Sequence, residues 1–285
     1  MTRTFTITTL VENTATGRNI RAEHGLSYWI EADGHCILFD TAQTPDVLMH
    51  NARRLKFDFA DVEAVVLSHG HYDHTGGLMA VLDEAKHPRL YLHPDALAKR
   101  YSQHTGGVMV DVGVAGGLSR AMLADKAEIV WTQSPTEIVP GLWVTGQVPR
   151  INQFEDTGGD FYLDAKAQQV DPIVDDQSIF FDTGQGVVVL LGCAHAGVIN
   201  TLTHIRLLTN DRPIYAVIGG MHLLHASEER MTQTIESFRA LNVQLLAPTH
   251  CTGPFAAARL WSEFPDRWQP CRVGARFVFE LPETI

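Results

Sequence analysis

The stretch Val65-Val66-Leu67-Ser68-His69-Gly70-His71-Tyr72-Asp73-His74-Thr75-Gly76 constrains this chain more than any other part of it. An apolar, β-branched run ends at Leu67, and His69, His71, Asp73 and His74 follow within six residues. Imidazole nitrogen and carboxylate oxygen are the donors that zinc and similar divalent ions take. A strand that ends in a tight turn aims the first, third, fifth and sixth residues of such a run at one point. Gly76 and Gly77 let the backbone turn closely behind that point before a helix begins. A solvated loop can hold two histidines by chance. Three histidines and an aspartate at this spacing, directly after a buried-strand pattern, mark a metal site.

The rest of the chain supplies a frame for that loop. Phe5 to Val11, Gly25 to Glu31 and His35 to Asp40 read as strands joined by turn residues such as Asp33-Gly34. Pro45 to Leu55 reads as an amphipathic helix with Leu48, Ala52 and Leu55 on one face. Ala60 to Leu67 is a predicted strand, Gly77 to Glu84 a helix and Arg89 to His93 another strand. The second half repeats the theme. Strands are predicted at 178–181, 187–191, 213–218 and 245–247, with helices at 198–208 and 227–241. Two such halves with loops meeting at one edge imply an α/β fold, an αββα sandwich. No linker or low-complexity run divides them, so 1–285 reads as one domain. The segment from about 94 to 165 fits least well and carries the pairs Gly106-Gly107, Gly116-Gly117 and Gly158-Gly159. It is either a lid or specificity insert over the metal loop, or a surface excursion with a helix around Asp95 to Tyr101.

Composition narrows the setting. At 285 residues and 45% hydrophobic, the chain can bury a large core. It has no uninterrupted apolar run of about eighteen residues, which argues against a membrane span. The first ten residues alternate polar and apolar without the apolar centre of a signal peptide, so a cytoplasmic protein is expected. Cys36, Cys193, Cys251 and Cys271 show no paired spacing and read as reduced thiols. A formal net charge of −11 disfavours non-specific binding to nucleic acid and is most simply a solubility feature.

The spacing His-X-His-X-Asp-His resembles the signature of the metallo-β-lactamase superfamily. Further segments carry the likeness: Cys36-Ile-Leu-Phe-Asp40-Thr41, Leu190-Leu-Gly-Cys193-Ala-His195-Ala-Gly197 and Ala247-Pro-Thr-His250-Cys251-Thr-Gly253. Together they extend it from about residue 5 to 280. Glu23-His24-Gly25-Leu26-Ser27 and Gly219-Gly220-Met221-His222-Leu223 look like the dihydropteroate-synthase-like branch. The resemblance implies that His195 joins His69 and His71 around one ion, with a fourth position open for water. It implies that Asp73, His74 and His250 face a second ion, and that Asp40 braces the metal loop from behind. Zinc is the expected metal, one or two ions per chain, with manganese or iron as alternatives.

One departure stands out. The superfamily's bridging aspartate would fall at the end of the strand 213–218, where Gly219 and Gly220 stand instead. His222 is the ionisable group at that end, and it can ligate the second ion, hold a substrate group or hydrogen-bond behind the ligands. Without a shared carboxylate, the second ion should be held more weakly than the first. Cys193 and Cys251 are either thiolate ligands or, more commonly for such residues, small buried thiols. Asp175-Asp176-Gln177-Ser178 is a pocket wall or a turn. Arg150 and Glu155 contact an anionic substrate or pair on the surface, and His24 stands where it could approach the site edge.

The implied chemistry is hydrolysis. A bound divalent ion lowers the pKa of its water from 15.7 to about 7 and polarises a carbonyl or phosphoryl oxygen. Asp73 can then orient a metal-bound hydroxide as well as ligate. No Gly-X-Ser-X-Gly elbow and no phosphate loop offers another route. The expected substrate is a small ester, lactone, thioester or phosphoester. The branch resemblance adds a second reading, condensation of a pterin with an aminobenzene derivative. A metal-containing ligand-binding module with little turnover is the third.

Overall fold

The structure, a computed structural model, describes residues 3–104 and 106–281, so the outermost residues of the expected 1–285 domain lie outside it. Two twisted sheets face each other, with helices on both outer faces. The first has seven strands in the order Arg276–Glu280, Thr4–Val11, Ser27–Ala32, His35–Phe39, Ala64–Val66, Arg89–Leu92 and Glu128–Trp131. The second has six, in the order Leu245–Thr249, Ile214–Gly220, Gly186–Leu191, Ile179–Thr183, Leu142–Val144 and Thr136–Val139. Phe5, Tyr28 and Phe39 of the first sheet pack between the layers against Phe181, Leu190 and Ile218 of the second. The alternate residues of the same strands face outward. Trp29, Leu38 and Leu90 cover helices Pro45–Leu55 and Leu78–Glu84. Val187, Val189 and Val217 cover Val198–Leu208 and Glu228–Ala240. This is the αββα sandwich that the sequence pattern implied. Strands buried on both faces explain why Val187 to Leu191 and Ala64 to Leu67 are continuous apolar runs rather than alternating ones.

The pairing puts the chemistry at one edge. His35–Phe39, Ala64–Val66 and Arg89–Leu92 run parallel, as do Gly186–Leu191, Ile214–Gly220 and Leu245–Thr249. Parallel strands end on the same side, so the loops after Phe39, Val66, Leu191, Gly220 and Thr249 converge. Those loops carry strained backbone: Asp40, Ala194, His222 and His250 all hold left-handed φ values, between 48° and 58°. Non-glycine residues keep such conformations only where their surroundings over-determine them, commonly at functional sites.

The segment 94–165 differs from the expectation. Glu128–Trp131 belongs to the first sheet, and Thr136–Val139 and Leu142–Val144 belong to the second. Outside the sandwich, Tyr101–His104 and Val108–Asp111 form a small separate sheet with Phe161–Tyr162. No helix runs from Asp95 to Tyr101. Pro94–Leu97 makes one 3-10 turn, capped by the His93 ring, and Ala98 is already extended. The strand predicted at 60–67 is also shorter, because Asp58 caps a 3-10 turn at Phe59–Asp61 before Ala64 begins the strand.

Candidate metal centre

His69, His71 and His195 come together from two loops, with one ligand atom of each within 4.8 Å of the others. His69 Nε2 lies 2.9 Å from His71 Nδ1. His195 Nδ1–H donates to the Thr157 carbonyl at 2.8 Å, which leaves Nε2 as a bare lone pair. That nitrogen is buried and has no protein partner. Ser68 Oγ donates to Asp40 at 2.7 Å and therefore accepts from His69 Nδ1 at 2.9 Å, so His69 Nε2 is bare as well. Burial holds His69 and His195 well below the ordinary histidine range, and neighbouring imidazoles add to the effect. Burial, with Arg100 nearby, lowers His71 to about 3. All three rings are neutral, the form that binds metal.

Asp73, His74 and His250 form a second group beside the first. His74 Nδ1–H donates to Asp40 Oδ2 at 2.6 Å, and His250 Nδ1–H donates to Asn13 Oδ1 at 3.0 Å. Both Nε2 atoms therefore point inward, and they stand 3.2 Å apart. Asp73 Oδ2 lies 3.7 Å from His74 Nε2 and 3.3 Å from His250 Nε2. Two nitrogens bound to one tetrahedral zinc lie roughly 3.3–3.4 Å apart. Nitrogens that face each other at such separations need a positive charge between them, a proton or a metal ion, so the donor set fits a divalent ion at each position. The electrostatics agree. Burial opposes charge on His74, yet the Asp40 and Asp73 carboxylates raise it to about 9. Burial likewise opposes charge on Asp73, yet His74, His24 and His250 hold its carboxyl well below the usual range.

The bracing is extensive. Asp40 is fully buried and takes the Ser68 amide on Oδ1 at 2.7 Å, with Ser68 Oγ and His74 on Oδ2. Asp175 accepts the Gly70 amide at 2.8 Å while pairing with buried Arg100 through both carboxylate oxygens. Asp176 accepts the Ala196 amide at 2.9 Å, and burial raises its carboxyl to about 7. Asp175 and Asp176 thus hold the two ligand loops from behind. Glu155 is buried and accepts the Ile199 and Asn200 amides at 2.8 Å each, which caps the helix after His195. Arg150 donates to the Pro172 carbonyl, so the expected Arg150–Glu155 surface pair does not form.

His222 lies beside the first group, its ring 4.2 Å from that of His195 and its Nδ1 buried without a partner. Gly158, with φ +81°, sits so close to the His222 ring that a Cβ there would overlap it. The strand end at Gly219-Gly220 has no room for a side chain. A Cβ on Gly219 would strike the Leu191 carbonyl, and one on Gly220 would lie 2.6 Å from Cys251 Sγ. Two residues that the sequence left with open alternatives reach the centre. His24 Nε2 reaches within 3.2 Å of Asp73 Oδ2, although its side chain is half exposed. Cys193 Sγ lies 3.2 Å from His74 Nε2. A single histidine or cysteine carries no spacing signal, so only its place in a motif-like segment could have pointed to it. Phe161, from the small separate sheet, covers the centre with its ring 5.0 Å from His71 and 5.3 Å from His195.

A family model described as the metallo-beta-lactamase superfamily matches residues 20–250. A 7,8-dihydropterin-6-methyl-4-(beta-D-ribofuranosyl)-aminobenzene-5'-phosphate synthase of Methanocaldococcus jannaschii is 28% identical over 271 residues, covering 90% of each chain. An uncharacterized protein of the same organism is 30% identical, covering 88% of this chain and 92% of that one. A crystal structure described as a metal-dependent hydrolase of the beta-lactamase superfamily superposes with a TM-score of 0.80. It is 29% identical and covers 96% of this chain and 98% of its own.

Proposed function

The chain belongs to the metallo-β-lactamase superfamily, and from that premise we propose that it is a metal-dependent hydrolase of a small ester, lactone, thioester or phosphoester. The observation that carries the reading is the set of inward-facing donors: Nε2 of His69, His195, His74 and His250, with Asp73 Oδ2 beside the last two. His69, His71 and His195 would hold one ion, and Asp73, His74 and His250 a second, zinc before manganese or iron. When bound, such an ion supplies an acidified water and a Lewis-acidic contact for a carbonyl or phosphoryl oxygen. Asp73 offers an ionised oxygen beside His74 and His250, where it would orient the attacking water and accept its proton. His24, hydrogen-bonded to that carboxylate and half exposed, is placed to pass the proton to solvent. Phe161 and the small sheet that carries it act as the lid, excluding bulk water from the reacting atoms and bounding the substrate. Among the described residues no helix is long and apolar enough to cross a membrane.

A second reading is condensation of a pterin with an aminobenzene derivative, favoured by the 28% identity to the archaeal synthase over 90% of both chains. There the same centre would assist departure of a leaving group. The readings separate in one experiment. Chelator-treated protein, restored with zinc or manganese, is assayed on ester, lactone, thioester and phosphoester panels and on a dihydropterin with an aminobenzene acceptor. Metal-dependent turnover of a panel compound supports hydrolysis, and turnover of the pterin pair alone replaces it with condensation. Tight binding without turnover of any compound leaves the protein as a ligand-binding module.

A further inference from the structure

Cys193 occupies the ground between the two donor groups. Its Sγ lies within 4.8 Å of donor atoms of His69 and His74 in one cluster, of His195 and His222 in a second, and of His250 and Cys251 in a third. Thus it reaches His69 and His195 of the first group and His74 and His250 of the second. Among the described residues Cys193 and His69 share clusters with histidines from both groups, and of the two only the cysteine can become an anion. Cys193 is almost fully buried, and His195 Nε2 and His222 Nδ1 beside it have no hydrogen-bond partner. The strand end where the superfamily would place a shared carboxylate is closed by backbone at Gly219 and Gly220. Cys251 is less well placed. It clusters with His250 and Cys193, its Sγ donates to the Cys193 carbonyl at 3.5 Å, and its sulfur helps to close the Gly220 position.

We propose that the Cys193 sulfur bridges the two metal positions, taking the place of the missing carboxylate. The inference rests on the two-ion reading above and adds to it the group that draws the ions together. On binding, the thiol proton is released to solvent, and both sulfur–metal bonds form from sulfur lone pairs with no change of oxidation state. One negative sulfur between two cations offsets their mutual repulsion, which a neutral His222 ring cannot do. Both ions should then leave together, in contrast to the stepwise loss expected for a centre with no bridge.

The test uses the full chain, freed of metal and reloaded with cobalt(II), with elemental analysis and near-ultraviolet absorption on the same sample. Wild-type protein should bind two cobalt ions and show a thiolate-to-cobalt charge-transfer band. Cys193→Ser should lose the band and release one ion at a chelator concentration about 10–100-fold lower than wild type, while Cys251→Ser keeps both properties. Two bound ions without the band, or a band that survives in Cys193→Ser, overturns the bridge and leaves the two-ion reading intact. Failure of wild type to bind cobalt overturns both. Should Cys193→Ser not fold, cadmium NMR of the wild-type protein decides. A shared sulfur moves both cadmium resonances downfield of a nitrogen-and-oxygen site, whereas one shifted resonance overturns the bridge.

Discussion

Asp40 shows how one buried carboxylate fixes the protonation of two imidazoles. It binds His74 Nδ1–H directly and His69 through Ser68 Oγ, so both rings turn Nε2 toward the centre. Partners of this kind set ligand orientation and basicity, and losing one typically lowers metal affinity about 10–100-fold. Asp40→Asn should therefore weaken zinc binding by that factor in a chelator competition; unchanged affinity would show that packing alone orients His74. Asp73 has a different role. Asp73→Asn keeps the shape but loses the charge, and its effect should fall mainly on kcat rather than KM, because orienting the water matters in the transition state. Equal losses in substrate binding would instead place Asp73 against the substrate. The cluster His69 to His74 was legible at this scale because four donors sit close together in sequence. For His24 only a place near the site edge was legible, and its contact with Asp73 depends on the pairing of the Leu26 amide with the Asp73 carbonyl at 3.2 Å.

Helices and strands were legible wherever the apolar pattern was long. The parallel strands at Gly186–Leu191 and Ile214–Gly220, and the helices at Pro45–Leu55 and Val198–Leu208, lie close to their expected bounds. Short elements were not legible. Leu142–Val144 has three residues, and Arg276–Glu280 alternates so that only Phe277 and Phe279 face the core. The 94–165 segment misled because sandwich strands and a separate small sheet interleave within it. One helix end also proved to depend on a distant residue. Glu155, across a sequence gap of more than 40 residues, takes the first amides of Val198–Leu208, where Gly197 at φ +101° brings the chain close. These amides are orphans of the helix start, and a negative charge there is favoured. Glu155→Ala should lower stability by about 1–2 kcal/mol in urea unfolding. It should also weaken metal binding at His195, which sits just before the cap. A loss of stability with metal affinity untouched would mean that the cap and the ligand loop are independent.

At the scale of the whole molecule, the donors that gather at the strand ends make folding depend on pH in opposite directions. Burial foremost keeps His69, His71 and His195 below their ordinary value of 6.5, His71 at about 3. The unfolded chain takes up protons on these rings below about pH 6.5 while the folded chain does not, so stability falls as the pH drops. The slope is about 1.4 kcal/mol per pH unit for each ring so held. Asp176, raised to about 7 by burial, works against this trend between its ordinary 3.8 and 7, but it is one group against three. His74 has the other sign. Asp40 and Asp73 overcome its burial and raise it to about 9, so its contribution is complete below 6.5 and lost as the pH rises through 9. Metal-free protein should therefore have its highest urea midpoint near pH 6–7 and lose stability on both sides. Zinc changes the two arms differently. The ion takes the place of the proton on His74 Nε2, which removes the alkaline loss, and it competes with protons for every ligand, which steepens the acid loss. Urea titrations of chelator-treated and zinc-loaded protein from pH 4 to 9 check this. A metal-free midpoint that keeps rising toward pH 9 would show that His74 is neutral and that its carboxylate neighbours do not prepare the site for a cation.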